Sequence, residues 1–362
     1  MSWLQKTFRA LPMLCLLAAG WSAAKAEAPQ LQPLPAPAKV DPALADLGRH
    51  LFFEPRLSGD GSRSCASCHI PARGFADGEP LSRGYNGTEY FRNAPGLLSV
   101  RLKPRLMWDG RGTELTAVVR EMVLDAQFMN GNAGIIAERI RQMPPLFALW
   151  RRAFGERSEP RGEQAFLAIG EYLKTLDFGR SAVDAALRGE AGLPPLADQG
   201  MRLFTGKAGC VACHHGPLLS DGKPHRLGVP EHPALMREPL RTVSLLRHVA
   251  LHKLPNPMAT RGDPGVYAIS KDPAERGSFI TPGLRGLNHS APYLHNGRFG
   301  SLDEVVDFHD RGGGPGSELR PLGLSQQERR ALVAFLQALS APLEKVAEPP
   351  AHDYNAVDGR RW

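Results

Sequence analysis

The pentapeptide C-x-x-C-H occurs twice in this chain, as Cys65-Ala66-Ser67-Cys68-His69 and as Cys210-Val211-Ala212-Cys213-His214. No other feature restricts the fold as strongly. C-x-x-C-H is the attachment signature of a c-type haem. Two thiols add across the porphyrin vinyl groups, and the adjacent His becomes the proximal iron ligand. Paired C-x-x-C units also build zinc sites, but a His directly after each copy argues against that reading. The sequence therefore specifies two covalently bound haem c groups, with Cys65, Cys68, His69, Cys210, Cys213 and His214 as their anchors.

The first 26 residues read as a secretory signal: a basic start (Lys6, Arg9), an apolar run from Ala10 to Gly20, and Ala24-Lys25-Ala26 before the expected cut after Ala26. Cleavage removes Cys15 and leaves four cysteines, all inside the haem motifs, so no disulfide is expected even in an exported protein. Covalent haem and export together place the chain in a bacterial periplasm. No later run is apolar enough to span a membrane. The signal also carries Lys6, Arg9 and Lys25, three of the cations behind a formal charge of +7, and four haem propionates offset most of the rest. Neither nucleic acid nor a membrane surface is needed to explain the balance.

At 362 residues the chain has room for two domains. A Pro/Ala-rich leader over 27–42 is followed by an N-terminal haem domain over 43–190, a C-terminal haem domain over 191–345 and a tail over 346–362. The segment RGEAGLPPLADQ is read as the linker. Gly48-Arg49-His50-Leu51-Phe52 is echoed by Gly200-Met201-Arg202-Leu203-Phe204 ahead of the second motif. Helical periodicity is expected at Leu115–Val123, Gly134–Met143, Leu146–Phe154, Glu163–Phe178, 301–310 and Gln326–Leu339, with residues 221–281 read as loop. The fold class is mainly α: two cytochrome c-like domains, each around one haem, with long loops and little β.

LFFEPRLSGDGSRSCASCH, FADGEPLS, RNAP, MWDGR, LFTGKAGCVACHHGP, FITPGLRGLNHSAPYLHNGRF and LDEVVDFHDRGG, in this order between Leu47 and Leu339, resemble the bacterial dihaem cytochrome c peroxidase superfamily. The MauG-like branch, which includes relatives in methanobactin-associated copper systems, is the most similar. The resemblance implies a peroxide-reacting first haem on His69, a six-coordinate second haem on His214, and Trp108 as the electron relay between them. It also implies a calcium ion held by the Asn93 side chain and the Ser290 and Pro292 carbonyls, an oxygen-only set suited to Ca²⁺.

Departures from the family pattern bear on the reaction. The second haem's sixth-ligand position holds His309. Leu302, Val305, Val306 and His309 share one helix face, and Met258 is the rival ligand. His295 is expected to contact a propionate. The position of the displaceable His that blocks the first haem in many relatives holds Tyr85, a poor ligand at neutral pH, so an open iron is expected. The distal Gln and Glu of the family map onto Val118 and Phe128, which offer no proton relay. Glu121 is close enough in sequence to take that role, or is a solvated surface carboxylate. Ala208 stands where MauG has its electron-exit Trp.

Three functions remain open. In the first, peroxide at the first haem forms a high-valent dihaem state that oxidises residues, such as Trp, of a periplasmic partner protein. The second is a peroxidase reducing H₂O₂ with electrons from a small cytochrome or cupredoxin. The third is a dihaem electron-transfer module without catalysis.

Overall fold

The computed structural model describes residues 29–350. The expected signal segment, its cleavage site and the end of the C-terminal tail lie outside the described residues. The protein is mainly helical, and its one regular strand pair among the described residues is β1 (Pro224–His225) antiparallel to β2 (Phe279–Ile280).

α1 (Pro42–Phe53) starts where Asp41 caps it, accepting from the Ala43 and Leu44 amides at 2.9 and 3.1 Å, with Pro42 in the first turn. α2 (Leu115–Leu124), α3 (Ala133–Arg141), α4 (Pro144–Phe154) and α5 (Gly162–Leu173) complete the first helical group. α1 lies against α5 at very close range. A Cβ on Gly48 would stand 1.9 Å from the Ala168 carbonyl oxygen, so only glycine allows this approach. The interface buries Leu47, Leu51, Phe52, Phe166 and Ile169, each worth about 1.5–3 kcal/mol when wholly withdrawn from water.

The second group repeats the device. After α6 (Ala182–Leu187) comes α7 (Pro195–Thr205), which packs on the last helix of the chain. A Cβ on Gly200 would meet the Ala331 carbonyl oxygen at 2.0 Å. Phe204 then lies 5.0 Å from Phe335, ring centre to ring centre. The echoed motif therefore encodes one packing geometry used twice: glycine for close approach, then Phe52 or Phe204 toward the cavity. Each copy heads a separate buried cluster, one drawn from residues 47–176 and one from residues 183–339.

Between them, α8 (Ala234–Arg237), α9 (Pro239–Leu251) and α10 (Tyr267–Ser270) form a third, smaller cluster with Tyr90 and Phe91. α11 (Leu302–Asp310) and α12 (Gln326–Ala338) close the chain, each started by a Ser capping box, at Ser301/Glu304 and Ser325/Glu328.

Three expectations need correction. Residues 221–281 are not all loop, since α9 runs 13 residues through them. Its apolar residues fall on two faces, so no single stripe announces it, and the surrounding Pro and Gly hide its limits. The helix expected to reach Phe178 ends at Leu173, where Lys174 and Thr175 already form a turn. The latter half of the expected linker is the first turn of α7, opened by Pro195.

Candidate functional site

Both C-x-x-C-H segments fold alike. Cys65–Ser67 and Cys210–Ala212 are single 3-10 turns, and the His69 and His214 amides donate back to the Cys65 and Cys210 carbonyls at 2.9 Å each. Each imidazole is then oriented through Nδ1, which donates to the Phe75 carbonyl at 2.8 Å and to the Leu219 carbonyl at 2.9 Å respectively. That fixes the tautomer and leaves Nε2 with its lone pair. Burial holds both rings neutral: it lowers the pKa of His69, and it takes that of His214 down to about 4, with the nearby charge of His309 adding to the effect. Neutral imidazole is the form that ligates a metal.

His69 and His214 line one continuous cavity of about 430 Å³, walled mostly by apolar side chains. α2 contributes Leu115, Val118, Val119, Met122 and Val123, so its apolar stripe faces the cavity. α11 contributes Leu302, Val305, Val306 and His309. His309 Nδ1 donates to the Val305 carbonyl at 2.8 Å, burial lowers its pKa, and its Nε2 is left for the cavity. Met258 is 76% exposed and does not line the cavity.

The residues present fit two c-type haems. Cys65, Cys68 and Cys210 stand in the cavity wall beside the imidazoles. All four motif cysteines are free of disulfides, and burial pushes the Cys65 thiol up to about 12 and Cys210 up to about 11. Among the described residues no Asp or Glu lines the cavity, whereas Arg63, Lys103, Arg105 and Arg285 do. Lys103 is the clearest case. Among the described residues its Nζ reaches only the Gly96 carbonyl, at 3.3 Å, and burial pushes its pKa down to about 8. A buried ammonium without a carboxylate is costly, and a haem propionate is the anion that would pair with it.

Trp108 lines the same cavity and is tied from both sides. Its Nε1 donates to the Asn93 carbonyl at 2.9 Å, and its own carbonyl accepts from the Ile280 amide at 3.0 Å. Next to it lies a buried charge network that sequence reasoning did not assign. The Arg92 guanidinium donates to Asp109 at 2.5 Å and to both Asp263 oxygens at 2.6 and 2.8 Å. Arg111 donates to Asp109 at 2.9 Å. Burial alone would raise both carboxyls, but Arg92, with Arg111 at Asp109, holds them well below the usual range. Arg92 and Asp109 both stand in the motifs RNAP and MWDGR. Asp263 lies in a loop and gave no signal of its own.

The remaining candidates, with Gln127 near Glu121 in sequence, divide between the cavity wall and other places. Glu121 points away from the cavity, 41% exposed, with its Oε1 accepting from Arg111 at 2.8 and 2.9 Å. That is the solvated, ion-paired position rather than a distal one. Gln127 is turned to α9, where it donates to Ser244 at 2.5 Å and accepts from Arg247 at 2.7 Å. Val118 and Phe128 both line the cavity. Tyr85 does not; its hydroxyl lies beside Gly59. His295 is buried and stacks on Phe279 at 3.6 Å, outside the cavity wall, and burial holds its pKa down near 4. Asn93, Ser290 and Pro292 share the cavity wall, and the Asn93 amide nitrogen is engaged by the Glu79 carbonyl at 2.6 Å. Ala208 is buried, 7% exposed.

Comparison with known proteins agrees with this geometry. The family model for di-haem cytochrome c peroxidase matches residues 42–192. The chain is 48% identical over 348 residues to the cytochrome-c peroxidase IdrP2 of Denitromonas iodatirespirans, covering 95% of this chain and 94% of that one. It is 32% identical over 326 residues to the methylamine utilization protein MauG of Methylorubrum extorquens, covering 89% and 85%. Among solved structures, a MauG-like protein associated with microbial copper homeostasis superposes with a TM-score of 0.71 at 26% identity, over 88% of this chain and 95% of that one. The diheme peroxidase BthA of Burkholderia thailandensis gives 0.64 at 26% identity, over 89% of this chain and 95% of that one. Two haem-binding motifs on one helical cavity, a Trp fastened in its wall and these relatives lead to one conclusion: the chain belongs to the dihaem cytochrome c peroxidase family and is a haem-dependent, peroxidase-type oxidoreductase.

Proposed function

We propose that the protein is a periplasmic peroxidase, exported by its N-terminal segment, that reduces H₂O₂ at the first haem with electrons delivered by a small donor protein. The observation that carries this reading is the distal wall. Val118, Met122 and Phe128 give the cavity an apolar wall where the family carries its distal Gln and Glu, and among the described residues Tyr85 and Glu121 do not line it. The bound haems supply the redox chemistry. The chain orients His69 and His214 through their Nδ1 hydrogen bonds, excludes water with the α2 stripe and would pair Lys103 with a propionate. His309, whose Nε2 is left for the cavity, would be the second protein ligand to the haem held by His214. A calcium ion would be held by the Asn93 amide oxygen and the Ser290 and Pro292 carbonyls, which share the cavity wall.

With no carboxylate among the described residues that line the cavity, the proton needed to split the peroxide O–O bond comes from solvent or from peroxide itself, so that step is slow relative to relatives carrying the Gln/Glu pair. The test is steady-state oxidation of a reduced cytochrome c by the holoprotein, with and without H₂O₂. Peroxide-dependent turnover is expected, and its absence rejects the reading. A second reading, oxidation of residues on a partner protein, is favoured by His309, because an imidazole stabilises ferric iron more than a thioether does. Buried Ala208 leaves that reading without the exit side chain used by MauG. Consumption of stoichiometric H₂O₂ with no added reductant, followed by covalent change in a partner, would favour it.

A further inference from the structure

A histidine with a carboxylate on each ring nitrogen follows the second haem motif. Asp221 donates its amide to the Cys213 carbonyl at 2.8 Å. One Asp221 carboxylate oxygen accepts from the Lys223 amide at 3.0 Å, and the other accepts from His225 Nε2 at 2.9 Å. On the far side of the ring, His225 Nδ1 donates to Glu318 at 3.0 Å, and the second Glu318 oxygen accepts from the Arg226 amide at 2.8 Å. Burial opposes ionisation of both carboxyls, but the backbone amides and His225 hold them below their usual range. A carboxylate only accepts, and a neutral imidazole has a single N–H, so donation at both nitrogens describes an imidazolium. Burial would lower the pKa of His225, yet its bonds to Asp221 and Glu318 raise it above the ordinary value.

This cation stands at the edge of the second haem site. Cys213 Sγ, an Asp221 oxygen and a His225 ring nitrogen lie within 4.8 Å of one another. The sulfur belongs to the haem and both ring nitrogens are taken, so the three do not form a separate metal site. The charged groups around His225 come from four segments. Lys223 and Arg226 flank it in sequence, Asp221 faces it from the turn after the motif, Glu318 from the loop after α11, and His214 feels its charge from the motif. β2 sets Phe279 opposite it and brings no charge. The loop that carries Glu318 also follows His309, and it is pinned to the His225 segment where the Gly314 and Glu318 amides donate to the Leu227 and Arg226 carbonyls, both at 2.9 Å. At an effective dielectric of about 20, two unit charges about 10 Å apart shift an equilibrium by roughly tenfold.

We propose that His225 is the proton acceptor coupled to the second haem: each electron received by that haem is accompanied by a proton from solvent onto the His225 ring. A one-electron donor is oxidised, ferric iron becomes ferrous, and neutral imidazole becomes imidazolium; reoxidation returns the electron and the proton. Linkage is reciprocal. Where His225 is charged in both redox states, no proton moves and the potential is at its highest. As pH rises through the His225 range the potential falls, and ferric iron is favoured. The coupling needs only the haem on His214, and it stands whichever substrate the reduced protein serves.

The experiment is a spectroelectrochemical titration of the holoprotein without peroxide, between about pH 6 and 9, following the low-spin band of the second haem. The wild-type reduction equilibrium should weaken by at least roughly threefold across that range. His225→Asn should hold the low, alkaline value at every pH. His225→Lys, a cation that stays charged there, should hold the high, acid value. Glu318→Gln removes one carboxylate at a half-exposed position and leaves the ring in place, so its transition should move to lower pH. A pH-independent wild-type potential overturns the proposal. So does a pH dependence that survives in His225→Asn, which assigns the proton to a propionate instead. If His225→Lys behaves as His225→Asn, the residue serves packing rather than charge and the proposal fails. An unshifted transition in Glu318→Gln also overturns it.

Discussion

His309 and Glu231 show how burial sets the behaviour of single groups. His309 reaches the cavity with Nδ1 already spent on the Val305 carbonyl, so only Nε2 can ligate. His309→Ala should convert the low-spin spectrum of the second haem to high-spin and leave the first haem unchanged, whereas Met258→Leu should change neither, and electron paramagnetic resonance separates the two cases. Glu231 faces Asp263, whose amide donates to it at 2.7 Å, and burial followed by the Asp263 charge pushes its pKa up to about 7. Its folded pKa therefore lies above its unfolded value. The stability this protonation contributes is fully present below the ordinary carboxylate range and is lost as pH rises from there through 7. Glu231→Gln should raise stability by about 1–3 kcal/mol at pH 8 and by almost nothing at pH 4. Thermal unfolding midpoints across that range check the sign, and a stabilisation largest at acid pH would refute it.

Gly48 and Gly200 matter at the scale of helices, because each lets two helices meet backbone to backbone at a haem pocket. Gly48→Ala and Gly200→Ala should each cost about 1–3 kcal/mol through forced separation of the pair. Each should perturb chiefly the haem of its own half, which visible spectra of the two spin states report. The sequence echo around these glycines made the repeat legible before any coordinates, as did the stripes of α2 and α11, because both faces turn on a strict helical period. α9 was not legible. Its inner face holds Arg241, Ser244 and His248 among its apolar residues, and its outer face holds Leu240, Val243 and Leu251, so polarity does not separate inside from outside. Glu121 was ambiguous for a related reason: it sits at the edge of the α2 stripe, and only the position of Arg111 decides which way it turns. The Arg92, Asp109 and Asp263 network joins residues 171 positions apart, a distance over which no local pattern carries.

Trp108 acts at the scale of the whole molecule, because the two haem-binding halves share one cavity and it is fastened to both. The first half holds its Nε1 through the Asn93 carbonyl, and the second holds its backbone through the Ile280 amide. Immediately after it, Asp109 is locked by Arg92, which also grips Asp263 from the later half of the chain. Such a fully paired buried network resists rearrangement, since removing one partner strands a charge. The indole is therefore held at a fixed place in the wall of the shared cavity. Trp108→Phe keeps an aromatic ring but removes both the readily oxidised indole and the N–H that anchors it. Peroxide consumption by the first haem should persist in single-turnover mixing, while the spectral response of the second haem to peroxide should slow by at least tenfold. Loss of both responses would mean that Trp108 serves to shape the cavity, and equal rates in wild type and variant would mean that electrons pass between the halves by another route.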